Sequence, residues 1–296
     1  MSPCRCKLSK ILLILNIVLS KKKKKEILHH SSAQLHDCGY TCRIIKPGTV
    51  SPNRVRYTHR DDYYILGIIM NGEIDCMIDF QNYSLSQKSL ILLSPGQVHQ
   101  FIFERDLEAL MLAFTPTLLD DKIHYKLDQS SILHSPFYKA EECEDVSVMF
   151  ELLSRQKHIS AGRYLAKAII SILADIIIQQ CCKVNQVSSR RIYLMLKFRK
   201  LLRGKITEER RPSFYADKLN ISPIYLNEIV KDITGQSSSQ YIKNEIMLLA
   251  KRELFYTSES VKEIAYRLGF TDYAYFIRLF TETAGVSPAK FRYNID

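Results

Sequence analysis

Residues 261–292 read VKEIAYRLGFTDYAYFIRLFTETAGVSPAKFR, with no histidine, no cysteine and no phosphate-cradling glycine loop. The apolar residues Ile264, Ala265, Leu268, Phe270, Phe276, Leu279 and Phe280 recur at helical spacing and form the expected core of this stretch. The pattern breaks once, after Leu268. Gly269 tolerates the left-handed backbone that ends a helix, and Thr271 is expected to cap the next helix by accepting from its first free N–H groups. Two short helices joined by such a turn form a helix-turn-helix, whose second helix fits the major groove of DNA.

The same unit occurs once more upstream. ADKL at 216–219 aligns with AYRL at 265–268, and EIVKDITGQSSSQY (228–241) aligns with RLFTETAGVSPAKF (278–291). In this copy Asn220 occupies the turn, Ser222 the cap and Pro223 the first helical position, where its missing N–H costs nothing. Gly235 and Gly285 end the second helices. The expected modules span about 210–234 and 260–284. Between them SSSQYIKNEIMLLAKRELFYT (237–257) reads as one helix. About 18 residues at 1.5 Å each make a rod of roughly 27 Å, near the ~34 Å between successive major grooves on one face of DNA. Two reading heads on such a rod point to duplex DNA.

Charge agrees with this placement. The chain of 296 residues carries a formal charge of +11, of which residues 188–296 hold +7, residues 31–187 hold −3 and residues 1–30 hold +7. A basic C-terminal third suits phosphate binding, because Lys and Arg displace condensed counterions.

Upstream the period changes. From Tyr63 to Phe114 short apolar runs alternate with turn residues, as in a small sandwich or barrel. DYYILGIIM (62–70) and EIDCMIDF (73–80) flank Asn71-Gly72, which predicts a hairpin. Residues 118–157 read as mostly helical with a loop near 134–138. GRYLAKAIISILADIIIQQ (162–180) reads as an apolar helix that either packs on the β region or forms a homodimer contact. Residues 183–190 read as a linker. The apolar run 11–20 is too short to cross a bilayer of about 20 residues' width, and five lysines follow it, so residues 1–35 read as an extension outside the domains. No membrane association and a cytoplasmic location are expected. The eight cysteines have no metal-site spacing and are expected as free thiols. His59 and His99 lie far apart in sequence, without the clustered ligands that a metal site needs, so no metal, cofactor or catalytic residue is expected. A small-molecule pocket inside the β region is compatible with its architecture.

Residues 214–237 and 261–292 together resemble the AraC/XylS family of transcriptional regulators, whose pattern I-A-x-x-L-G-F-x-D-x-x-Y-F-x-R-x-F-x-x-x-x-G-x-S-P-x-x-F-R is met by Ile264 to Arg292 almost letter for letter. The stretch 59–101 is similar, more loosely, to the cupin-like domain that precedes this module in many members. The resemblance implies an α+β chain. Residues 36–120 would form a cupin-like β sandwich or barrel that senses an effector, followed by a helical dimerisation and linker region at 121–187. Residues 188–296 would form an all-α domain of two helix-turn-helix modules on a long linker helix. It further implies promoter DNA as partner, with RNA polymerase and a small-molecule effector as others. The family's base-facing positions fall on Ile224, Tyr225, Asn227 and Glu228 in the first module and on Tyr273, Ala274, Ile277 and Arg278 in the second. Arg278 suits guanine, Asn227 adenine and Glu228 the cytosine amino group. Lys262, Arg267 and Arg292 are candidate phosphate contacts. In the first module Val230 stands where the family often has Phe. Two rival classes stay open here: a cupin-type metalloenzyme with an appended helical domain, and a helical adaptor for a protein partner.

Overall fold

The computed structural model describes residues 29–30, 35, 38–48, 57–130, 136–140, 144–184 and 188–293. Most of the extension expected at 1–35, and residues 185–187 of the expected linker, lie outside them.

Among the described residues eight strands form one sheet: β1 (His29–His30), β2 (Tyr40–Ile45), β3 (His59–Asp61), β4 (Tyr64–Ile78), β5 (Gln81–Ser86), β6 (Ser89–Leu93), β7 (Val98–Phe114) and β8 (Phe137–Lys139). They pair in the order β1-β3-β7-β4-β6-β8, with β2 also on β7 and β5 also on β4; all pairs are antiparallel except β1 with β3. β8 falls inside the stretch expected as a loop, and Phe137 pairs with Ile91.

The hairpin expected at Asn71-Gly72 does not form. The chain runs on through both residues, and β4 and β7 keep pairing with register shifts on either side of Asn71. Gly72 is needed for another reason. Its φ is +80°, and a Cβ there would collide with the Arg105 and Asp106 carbonyl groups across the bulge. The real turn lies eight residues on, at Asp79 and Phe80 between Ile78 and its partner Gln81. Both turn residues have positive φ, +46° and +69°, the twist that a two-residue hairpin requires.

Alternation along β4 divides two cores. Tyr64, Leu66 and Ile68 face one, Ile65, Ile69, Ile74, Cys76 and Ile78 the other. Three helices cover the first face: α1 (Asp121–Ser130), α2 (Glu144–Arg155) and α3 (Ile159–Val184). The stripe Ala166, Ile169, Ile170, Leu173, Ala174 and Ile177 on α3 is fully buried there. Packing on the sheet is therefore what this apolar face does.

The remaining helices share a separate core: α4 (Ser189–Lys205), α5 (Pro212–Lys218), α6 (Pro223–Thr234), α7 (Ser238–Tyr256), α8 (Val261–Arg267), α9 (Tyr273–Ala284) and α10 (Pro288–Tyr293). α4 begins within the stretch expected as a linker, capped by Ser188, which accepts from the Arg191 amide. The 19 residues of α7 make a rod about 28 Å long that touches α5 and α6 on one side and α8, α9 and α10 on the other. The two halves meet at the Asp79–Phe80 turn. The Phe80 ring packs edge-on against Phe255 at 5.3 Å and Phe291 at 5.2 Å.

Candidate nucleic-acid interface

Each module is assembled by local chemistry. In the first, α5 ends at Leu219, Asn220 takes φ +53°, and the Ser222 hydroxyl accepts from the Tyr225 amide at 3.1 Å to start α6. Gly235 closes α6 in the left-handed region at φ +73°. In the second, Ser260 and Glu263 form a reciprocal capping box on α8. Gly269 turns the chain at φ +81°, where a Cβ would strike the Thr207 carbonyl oxygen.

The second cap differs from expectation. Asp272, not Thr271, caps α9: its Oδ1 accepts from the Ala274 amide at 2.8 Å and the Tyr275 amide at 3.1 Å. A carboxylate reaches two orphan N–H groups from this position and also favours the positive end of the helix dipole.

The residues that the resemblance places toward bases on α6 and α9 differ in exposure. On α6, Ile224 and Glu228 are exposed one turn apart, and Ile224 is 74% accessible. Tyr225 is half-buried against the core, with the Arg191 guanidinium 5.6 Å from its ring centre. Asn227 is engaged inside the domain, its Oδ1 accepting from the Ser238 amide at 3.0 Å, which caps the start of α7. Val230 is fully buried, so the smaller side chain fits the core. Arg191 also pairs with Asp232 and reaches Glu228 at 3.8 Å.

On α9, Ala274, Tyr275 and Arg278 are exposed, while Tyr273 and Ile277 are half-buried against the core. The Arg278 guanidinium lies over the Tyr275 ring, 5.5 Å from its centre. Stacking of this kind holds the guanidinium near one orientation. Tyr275 is a functional candidate outside the base-facing positions that the resemblance implies; its place three residues before Arg278 is the signal.

The candidate phosphate contacts separate likewise. Lys262 is exposed, beside the Tyr266 ring at 5.8 Å. Arg267 pairs with Glu253 and with Glu259 at 3.0 Å. Arg292 donates from Nε to the Leu254 carbonyl at 3.1 Å and so tethers α10 to the last turn of α7.

Outside these helices two features stand out. A cavity of about 730 Å³ lies between the β domain and helices α4 and α7, bounded by Ile78, Asp79, Tyr138, Arg203 and Asn244 among others. Burial, aided by Arg199, lowers the Arg203 pKa. In the β domain, His59 and His99 come together with Asp61 and His30. Burial pushes His59 down to about 4 and His99 down to about 3, helped by the neighbouring imidazoles, and raises Asp61 to about 7 against a pull from the Tyr63 hydroxyl. Cys38, Cys42 and Cys76 are free thiols, and burial raises Cys42 to about 11 and Cys76 to about 12. No helix among the described residues is long and apolar enough to cross a membrane.

Comparison with known proteins agrees with these two halves. Residues 215–294 match a helix-turn-helix domain family and residues 50–163 match the AraC-like ligand binding domain, together more than half the chain. The HTH-type transcriptional regulator YfiF of Bacillus subtilis is 23% identical over 246 residues, 79% of this chain and 78% of that protein. The HTH-type transcriptional activator RhaS of Escherichia fergusonii is 20% identical over 250 residues, 80% of this chain and 88% of that one. With the regulatory protein PocR of Salmonella typhimurium the likeness, 27% over 103 residues, spans 34% of each chain. Among solved structures, ToxT from Vibrio cholerae O395 is similar at 14% identity, with 86% of this chain and 97% of that chain covered and a TM-score of 0.43. The chain belongs to the AraC/XylS-type family of transcriptional regulators. The relatives named here are regulators of transcription.

Proposed function

We propose that the chain reads double-stranded promoter DNA through α6 and α9, with Ile224 and Glu228 facing the groove from the first and Ala274, Tyr275 and Arg278 from the second. The observation that carries this is the outward face of each second helix. In both modules a capped N-terminus leads into a helix whose inner side is core and whose outer side holds side chains suited to base edges. Arg278 offers a paired donor to guanine, and Glu228 accepts from a cytosine amino group. Lys262 is the phosphate contact of the second module, and Tyr225, Asn227, Tyr273, Ile277, Arg267 and Arg292 act inside the domain. On this reading 188–296 is the DNA-binding domain, 36–120 the sensor and 121–187 the connection between them.

The cavity between the β domain and α7 is where a small effector would touch both halves at once. A ligand shifts an equilibrium only by its differential affinity for two states, and a site shared by two domains is sensitive to their separation. RNA polymerase is the partner through which such a regulator would act. Homodimerisation would use the outer side of α2, where Val148 and Leu152 stand exposed one turn apart.

Selection of genomic fragments by the purified full chain tests the reading. The selected duplex and a scrambled one are then titrated over about 50–200 mM salt. The expected result is a preference of about 10³-fold or more for the selected duplex and steep loss of binding as salt rises. Equal affinity for both duplexes at every salt concentration overturns it.

A further inference from the structure

Four buried polar side chains converge in the β domain on strands far apart in sequence. The register brings them together: His30 is paired with Asp61 across β1 and β3, and His59 with His99 across β3 and β7. His59 and Asp61, two residues apart on one strand, share a face. The sequence pattern kept them apart, because His99 lies 40 positions from His59.

Each imidazole has one nitrogen occupied on its outer side. His59 Nδ1 donates to the Tyr57 carbonyl at 2.9 Å and His99 Nδ1 donates to the Gln97 carbonyl at 3.2 Å. His30 Nε2 meets the Tyr57 hydroxyl at 2.9 Å. The three opposite nitrogens point at one carboxylate: His30 Nδ1 lies 3.2 Å from Asp61 Oδ1, His59 Nε2 3.8 Å from the same oxygen and His99 Nε2 3.4 Å from Oδ2. A carbonyl can only accept, so Nδ1 carries the proton in the neutral rings of His59 and His99, and their Nε2 atoms present bare lone pairs. Lone pairs therefore face a carboxylate in a site where His99 is 2% and Asp61 3% exposed. His99 Nε2 lacks a hydrogen-bond partner, and at Asp61 the Tyr63 hydroxyl supplies a donor to a carboxylate that three imidazoles also face.

A cation between them removes this conflict. Ligand atoms at about 2.0–2.1 Å from a tetrahedral ion lie about 3.3 Å from one another. The three separations from Asp61 bracket that edge, and the donor atoms of His30, His59 and Asp61 all lie within 4.8 Å of one another. Outward hydrogen bonds from every imidazole are the support that metal-ligating histidines use to fix tautomer and ring orientation.

We propose that His30, His59 and Asp61, with His99 flanking Asp61 Oδ2, form a binding site for one divalent transition-metal ion of the zinc class. Imidazole nitrogens with one carboxylate suit zinc or cobalt better than magnesium or calcium, which take oxygen donors. His30, His59 and Asp61 supply three positions, and His99 Nε2, 3.4 Å from Asp61 Oδ2, reaches the fourth by a shift of its ring; a shell closed in this way makes the ion structural or regulatory. It ties β1 to β3 and β7. It also lies one residue-to-residue step from the domain junction: the Gln97 carbonyl holds His99, and the Gln97 carboxamide donates to Asp79 at 3.1 Å. The site is independent of the DNA reading.

The test uses the full chain stripped with a chelator and titrated with zinc(II) or cobalt(II) alone. The expected result is one equivalent bound, a visible spectrum of tetrahedral cobalt without a thiolate charge-transfer band, and a melting temperature that rises with metal. His59→Ala and His99→Ala should each weaken binding by more than about 100-fold, in protein shown to be folded by circular dichroism. Should those variants fail to fold, the stoichiometry and spectrum of the unaltered chain decide alone. Absence of stoichiometric binding to that chain overturns the proposal and leaves a shared proton in the cluster. A thiolate band, or unchanged binding in folded variants, overturns it in favour of cysteine ligands or other residues.

Discussion

Arg252, near the C-terminal end of α7, grips Asp79 of the β4–β5 turn through two nitrogens of its guanidinium, Nε to Oδ1 at 3.0 Å and Nη2 to Oδ2 at 2.7 Å. The two residues lie 173 positions apart, one on a helix of the C-terminal half and one on a turn of the sheet. Burial opposes the charge on Arg252, and Asp79 more than offsets it, so its pKa is raised. Fork-to-carboxylate pairing of this kind is both strong and directional. It also holds the turn in which Phe80 takes φ +69°, a conformation uncommon for a bulky residue.

A double-mutant cycle with Asp79→Asn and Arg252→Gln should therefore return a coupling energy of about 0.5–3 kcal/mol, the range for residues in direct contact. Each single change leaves a half-buried polar group unmatched and should lower the midpoint of denaturant unfolding. Unfolding should also lose cooperativity, with the β domain and the helical domain melting at separate denaturant concentrations. A coupling near zero would show that the ion pair does not join the halves.

Gly269 and Asn220 hold matched positions in the two turns, yet substitution should act very differently on them. A side chain at Gly269 meets a left-handed backbone and the Thr207 carbonyl together. Gly269→Val should cost more than about 3 kcal/mol. Asn220 already carries a side chain at φ +53°, so Asn220→Ala should cost about 1 kcal/mol and Asn220→Gly almost nothing. Denaturant titration of the three variants checks the order.

How much of this was legible in the sequence depends on the range of the interaction. The helix-turn-helix modules were readable because caps, turns and helical period act over a few residues, and Ser222, Gly235, Gly269 and Gly285 all stand where the pattern placed them. Asn71-Gly72 misled because Gly is also required where two backbones approach closely, and only the β4–β7 pairing shows that Gly72 is such a place. The resemblance puts Asn227 at a base-facing position, where its carboxamide suits adenine; that its Oδ1 accepts from the Ser238 amide is a contact between helices, which a local pattern does not carry. The convergence of His30, His59, Asp61 and His99 depends on strand register, which sequence spacing does not carry.

The cap of α9 offers a local test. Thr271 and Asp272 are adjacent, and only one of them accepts from the first amides of the helix. Asp272→Ala should destabilise the domain by about 0.5–2 kcal/mol, while Thr271→Ala should stay within about 0.5 kcal/mol. Chemical denaturation of both variants measures the difference. The reverse order would assign the cap to Thr271.

The two recognition helices should differ in how they fail. Arg278 stands exposed and stacked on Tyr275, so its loss removes a paired donor without disturbing the core. Arg278→Ala should weaken binding to the selected duplex by about 1–3 kcal/mol and relax preference at one base pair. Tyr275→Ala should give a smaller loss at the same base pair, because it frees the guanidinium rather than removing it. On α6, Arg191 reaches Glu228 at 3.8 Å and draws its carboxylate toward α4. An acceptor shared in this way discriminates less, so Glu228→Ala should change affinity by less than about 1 kcal/mol. Lys262→Ala should instead weaken selected and scrambled duplexes alike and reduce the salt slope by about one. Competition binding against duplexes altered one base pair at a time separates these outcomes. If Arg278→Ala weakens both duplexes equally, α9 holds the phosphate backbone through this residue and the base reading passes to its neighbours Ala274 and Tyr275.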